Sequence, residues 1–133
     1  MPFVRFQELR VYKASEKLAD AVWEAVRAWD ILARDTVGKQ LIRAADSIGA
    51  NIAEGSGRHS HNDNKRFLRI ARGSLLETQH WLRRAFRRGL LTPDQTAALN
   101  ASVGELGPLL NAYLSSIGRQ DKGNRSAPSD EKH

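Results

Sequence analysis

The sequence predicts an all-α protein, an antiparallel up-down-up-down four-helix bundle. Apolar residues recur at three- and four-residue spacing along four separate stretches, with charged residues between them. Short connections divide those stretches, with Gly after the end of a helix and Ser, Thr or Asp before the start of the next. Hydrophobic residues make up 41% of the 133 residues, enough for one core. Amphipathic helices joined by short connections bury their apolar stripes most simply against sequential neighbours.

In the first helix the stripe is Val11, Ala14, Leu18, Ala21, Val22, Ala25, Val26 and Trp29, with Lys13, Lys17, Asp20, Glu24 and Arg27 between. Residues 30–35 read as a short connection. Asp35 or Thr36 is placed to cap a second helix whose stripe is Val37, Leu41, Ala45, Ile48 and Ile52. Gly55-Ser56-Gly57 ends it, because glycine can take the left-handed conformation that terminates a helix. The third stretch, Ser60 to Arg88, is the longest. Phe67, Ile70, Ala71, Ser74, Leu75, Thr78, Trp81, Leu82, Ala85 and Phe86 fall in its inner sector. Gly89 closes it, and Thr92-Pro93-Asp94-Gln95 forms a capping box that opens the fourth helix. That helix extends towards Ile117 with Gly104 and Pro108 inside it. Proline clashes with the carbonyl four residues back, so a kink rather than a stop is expected. The bundle occupies residues 1–118, and residues 119–133, polar and poor in apolar side chains, read as a disordered tail.

Function is sought first in the charge. Lys and Arg number 21 against 15 Asp and Glu, a net charge of +6. From Gly57 to Leu90 nine basic residues face two acids, Asp63 and Glu77, giving +7; the other 12 basic and 13 acidic residues leave −1. One segment therefore carries the whole excess. Within it Lys65, Arg66, Arg69, Arg72, Arg83, Arg84 and Arg87 project opposite the apolar sector, with Arg88 following. Arg69 and Arg87 lie on nearly one line, about 27 Å apart at roughly 1.5 Å per residue. Such a row suits RNA or DNA: cations on phosphates release counterions and give affinity without reading sequence. The competing reading is a basic face that docks an acidic protein partner, or one that is merely solvated.

The other candidates are weaker. Arg43, Ser47, Asn51 and Glu54 form a polar line on one side of the second helix, next to the small residues Ala44, Ala45, Gly49 and Ala50. That composition suits close helix packing or a subunit contact better than a ligand site. Glu77 and His80 have the spacing used by di-iron bundles, but the second pair and the two further glutamates that such a site requires are missing. His59, His61 and Asp63 supply three ligand types in a polar turn without a fourth. Gly55-Ser56-Gly57 lacks the lysine of a phosphate loop. The sequence contains no cysteine, which removes disulfides, thiolate metal sites and a cysteine nucleophile. No catalytic residue, metal or cofactor is assigned. No run approaches the roughly 18 apolar residues of a spanning helix and no signal-peptide pattern opens the chain, so a cytoplasmic protein without a membrane partner is expected.

One stretch is more specific than a bundle pattern. Gln40-Leu-Ile-Arg43-Ala-Ala-Asp-Ser47-Ile-Gly-Ala-Asn51-Ile-Ala-Glu54-Gly55, then Gly57-Arg58 and Phe67-Leu-Arg-Ile-Ala71-Arg-Gly73-Ser74-Leu-Leu-Glu77, resembles the four-helix-bundle protein family of bacterial 23S rRNA intervening sequences. That family is related to the accessory variability protein of diversity-generating retroelements. Phe6-Gln-Glu-Leu9-Arg-Val11-Tyr12-Lys-Ala14 is similar to the family's first helix, and the likeness runs from about Phe6 to Leu91. Two departures stand out: Trp29-Asp30 where a Phe-Pro pair is usual, and Gly49-Ala50 where a proline usually precedes the asparagine. The resemblance implies a homo-oligomer, typically a homopentameric ring, and a basic surface for RNA or DNA. In the retroelement branch it also implies a reverse-transcriptase partner, and it carries no catalytic activity.

Overall fold

The computed structural model describes residues 5–125, with side chains described for 5–117. A 3-10 turn over Phe6–Glu8 leads into α1 (Arg10–Val26). A single turn, α2 (Ile31–Ala33), continues through a π-helical turn (Arg34–Gly38) into α3 (Lys39–Ser56). Then come α4 (His61–Arg87) and α5 (Pro93–Arg125), with no strand among the described residues. α1 packs on α3, α3 on α4, α4 on α5, and α5 returns to α1. α1 and α4 thus occupy opposite corners of the predicted four-helix bundle.

The second helix starts earlier than its sequence suggests. Asp30 is the cap, its Oδ1 accepting the Ala33 N–H at 3.0 Å, so most of the expected connection is helical. Thr36, a candidate cap, lies inside the helical run and donates its hydroxyl to the Leu32 carbonyl at 2.7 Å. Three cap-forming residues within seven positions gave three legal starts, and the first of them is used. α1 correspondingly ends at Val26 rather than Trp29.

The other helix ends follow their signals more closely. Ser60 Oγ accepts the Asp63 N–H at 3.0 Å at the start of α4. At α5, Thr92 Oγ1 accepts the Gln95 N–H at 3.1 Å while Gln95 Oε1 accepts the Thr92 N–H at 2.9 Å. That is the reciprocal capping box. Gly89 has φ +73 and closes α4, with Leu90 N–H on the Ala85 carbonyl and Gly89 N–H on that of Phe86. α5 runs through Pro108 and past Gly118 to Arg125, beyond the Ile117 end expected for it. Residues 126–133 of the expected tail lie outside the described residues.

Leu18, Val22 and Val26 of α1, Leu41, Ile48 and Ile52 of α3, Leu68 of α4 and Leu106 and Leu110 of α5 form the fully buried centre. Leu68 thus takes a core place on α4 although the predicted stripe did not include it. Ile70 and Phe86, assigned to that sector, are 44% and 50% exposed because they stand at its two edges. The α3–α4 seam is close. Ser74 Oγ donates to Ser47 Oγ at 2.9 Å, and Asn51 Nδ2 donates to the Ser47 carbonyl at 2.8 Å and to its hydroxyl at 3.0 Å. Gly55 is not left-handed, and neither is Gly57. The role of Gly55 is approach: a Cβ there would meet Asn64 Oδ1 at 2.6 Å, the Asn64 carbonyl at 3.1 Å and Phe67 Cβ at 3.1 Å.

These distances set opposite outcomes for two glycine-to-alanine changes. Gly55→Ala should destabilise the fold by about 1–3 kcal/mol through overpacking, despite better helix propensity. Gly73→Ala, in α4 with nothing within 4 Å of its would-be Cβ, should stabilise it by up to about 1 kcal/mol. Thermal denaturation followed by circular dichroism checks both; a rise in Tm for Gly55→Ala would contradict the close seam.

Candidate nucleic-acid interface

The buried face of α4 is held by the α3 seam on one side and by α5 on the other, so its remaining face looks outward. Arg69, Arg72, Arg83, Arg87 and Arg88 are exposed there, and none has an acidic partner among the described residues. Lys65 and Arg84 are half-buried. Arg66 is exposed but engaged: it lies 3.7 Å from Asp63 and places its guanidinium 4.5 Å from the Phe67 ring centroid. Arg58, from the preceding turn, covers the same ring at 4.7 Å and donates to Glu54 at 2.6 Å. The row is interrupted by one apolar side chain, Leu76, which is 64% exposed between Arg72 and Arg83.

The polar line of the second helix divides. Ser47 and Asn51 are spent in the α3–α4 seam, whereas Glu54 is bound to Arg58 and Arg43 is exposed. Arg43 and Lys39, one turn apart on α3, form a ridge between two hollows at the end of the bundle where α1 and α4 finish. One, of about 720 Å³, is lined by Trp23, Val26, Arg27, Arg34 and Ile42 beside the ridge. The other, of about 460 Å³, adds Gln40, Trp81 and Arg88. Segment-by-segment charge counting missed this end. Its cations come from three helices, and on α1 and α3 acids elsewhere in the helix balance them.

The α1–α3 groove further along the bundle is acidic. Glu16, Asp20 and Asp46 surround a hollow of about 200 Å³ walled by Ala19, Ala45, Gly49 and Ala50. Burial, then the neighbouring Asp20 charge, raises the pKa of Asp46. Burial also raises that of Tyr12, with Glu16 adding to it by charge and by hydrogen bond. Tyr12 is half-buried against Phe6, ring centroids 4.9 Å apart.

The ligand candidates do not assemble. Glu77 accepts the Trp81 indole N–H at 3.4 Å, and His80 packs edge-on against the same ring at 4.8 Å. His59 is exposed in the turn before α4, and Asp63 faces Arg66. Among the described residues no three His, Cys, Asp or Glu side chains are grouped to hold a metal ion. No described helix is long and apolar enough to cross a membrane.

The family model of the 23S rRNA-intervening sequence protein matches residues 7–112, which takes in α1 to α4 and most of α5. The chain belongs to the 23S rRNA-intervening sequence protein family. It is also similar to a crystal structure from Bacteroides thetaiotaomicron, described as a protein with unknown function from the S23 ribosomal protein family. That likeness has a TM-score of 0.71 at 28% identity, over 79% of this chain and 95% of the other. No curated protein matches the sequence. In this family member α3 is unbroken through Gly49-Ala50, where the sequence departs from the family's usual proline. At the other departure, Asp30 caps the helix that follows the connection.

The acidic groove has a measurable pH signature. A raised Asp46 pKa means that the folded state holds its proton more tightly than the unfolded chain. The associated stabilisation is complete below the ordinary value of 3.8 and is lost as pH rises through the folded value. Asp46→Asn should therefore raise Tm at neutral pH, and the gain should shrink to nothing as pH falls below that range. A gain that persists unchanged in acid would rule out the charge as its cause.

Proposed function

We propose that this family member is a non-enzymatic, homo-oligomeric bundle that binds RNA or DNA through the outer face of α4. The observation that carries this reading is the row of exposed arginines on α4, Arg69, Arg72, Arg83 and Arg87, which have no acidic partner among the described residues. Like charges at three- and four-residue spacing repel: Arg69 with Arg72, Arg83 with Arg87, and Arg84 with Arg87 and Arg88. Together they cost on the order of 1–2 kcal/mol. The helix C-terminus offsets part of this for the last-turn residues Arg84 and Arg87. It does nothing for Arg69 and Arg72, and a phosphate backbone neutralises the whole row.

Assembly is supported by apolar side chains left outside the single bundle. Ile31 and Leu32, 67% and 75% exposed, stand adjacent on α2. A ring, five-membered by family resemblance, would repeat the arginine row around its circumference, so weak phosphate contacts act together at high effective concentration. The retroelement relationship extends the reading to an adaptor that presents nucleic acid to a reverse transcriptase. A second reading, docking of an acidic protein, is favoured by the exposed Leu76 within the row and by Ile70 and Phe86 at its margins.

Salt dependence separates the two. Replacing Arg83, Arg84, Arg87 and Arg88 by glutamine should preserve helicity and the oligomer mass, a multiple of 14.8 kDa by light scattering. It should weaken binding to mixed-sequence RNA and duplex alike. The slope of log K against log salt should flatten by roughly one unit for each phosphate that the variant no longer neutralises. Binding as tight as the parent's with the same slope would leave the row a protein-docking face, and a monomer mass would end the ring.

A further inference from the structure

We infer that the end of the bundle around Lys39 and Arg43 is a stacking site for an unpaired nucleotide strand, with bases on Trp23 and Trp81 and phosphates on the ridge between them. The inference rests on the nucleic-acid reading above and narrows it to a strand form and a second surface. Trp23 is 54% exposed on the single bundle. It opens on a hollow of about 720 Å³ whose floor, Val26 and Ile42, is apolar. The adjoining hollow of about 460 Å³ is lined by Trp81, which is half-buried, with its N–H on Glu77 and His80 in edge contact with its ring. Both hollows share Asp35, Lys39 and Arg43; with Asp35 paired to Arg34 at 3.9 Å, the two indoles flank one pair of cations rather than forming separate sites.

The charge is complementary to an anionic strand. Arg27 is held at 3.5 Å by Glu24 and Arg34 at 3.9 Å by Asp35, both exposed pairs that a phosphate can displace at little cost. Lys39, Arg43 and Arg88 have no acidic partner among the described residues. An acidic peptide would satisfy the cations alone. Two indoles on either side of a cationic ridge suit flat groups joined by an anionic link, which is the repeat of a single strand. In a duplex the bases are already stacked on one another and offer no free face to an indole. The α4 row, by contrast, requires only phosphates. The two surfaces meet at Arg88, so one strand can run from the stacking end onto the arginine row.

The experiment uses the full chain carrying Trp29→Phe, which leaves Trp23 and Trp81 as its two fluorophores. It is titrated at one low salt concentration with short oligodeoxythymidine, with an abasic strand of the same length, and with a duplex of that length. The oligodeoxythymidine should quench the indole emission and bind roughly tenfold more tightly than the abasic strand. Adding Trp23→Ala should cut that preference several-fold, Trp81 keeping the remainder, with much smaller effects on abasic and duplex binding, and Trp23→Phe should keep most of it. Equal binding of the thymidine and abasic strands would overturn the inference while the phosphate-binding reading stands. So would a Trp23→Ala loss shared equally by all three ligands. Displacement of oligodeoxythymidine by polyglutamate at equal charge concentration, with the same indole quenching, would assign the site to an acidic protein instead. Failure of the parent chain to bind any of the three nucleic acids would remove the broader reading as well.

Discussion

Gly55 brings the α3 backbone against Asn64 and Phe67, and two turns back along α3 the Ser74 hydroxyl donates to Ser47. These contacts set the rotation of α4 about its own axis. A helix buries one sector and presents the other, so fixing Ser74 and Asn64 inward leaves Arg69, Arg72, Arg83 and Arg87 outward. Apolar packing against α5 alone would tolerate some rotation, because Leu68, Leu75 and Leu82 are similar in shape and could slide. A hydroxyl pair and a backbone contact without room for a methyl group are much less forgiving. The seam has a cost of its own: Asn64 Oδ1 is buried without a hydrogen-bond partner among the described residues.

From that rotation follows the distribution of charge. The bundle has an acidic groove between α1 and α3, a basic row along α4, and a mixed aromatic and basic end where α1 and α4 finish. Across a bundle of this thickness, solvent-exposed charges lie beyond the roughly 8 Å over which they act at physiological salt. Each surface therefore behaves locally, and the formal charge of +6 describes none of them. On the proposed reading, polyanion affinity belongs to the row and the acidic groove repels a strand, which would restrict a bound strand to α4 and the adjoining end.

Much of this was legible in the residues. Amphipathic spacing located the four helices, and the Thr92–Gln95 box needs only two side chains and two amides in fixed local geometry, so it could be read from four letters. The arginine row was legible because one period explains all of it. The start of the second helix was not, since Asp30, Asp35 and Thr36 are each competent caps and tertiary packing decides among them. Glycine chemistry misled at Gly55, where the constraint is a neighbour from α4 and not a turn. The ridge at Lys39 and Arg43 was invisible for the same reason: Trp23, Trp81 and Arg88 reach it from other helices, and spacing within one segment carries no trace of that.

The claim that the α3–α4 seam turns a row of arginines outward to meet phosphates is most directly tested residue by residue. Arginine-selective chemical modification, mapped by mass spectrometry with and without a saturating mixed-sequence RNA, reads each guanidinium separately. The account predicts protection of Arg69, Arg72, Arg83 and Arg87, with Arg5 and Arg10 near the start of α1 modified equally in both samples. Uniform protection that includes Arg5 and Arg10, or α4 arginines as reactive with RNA as without it, would contradict it.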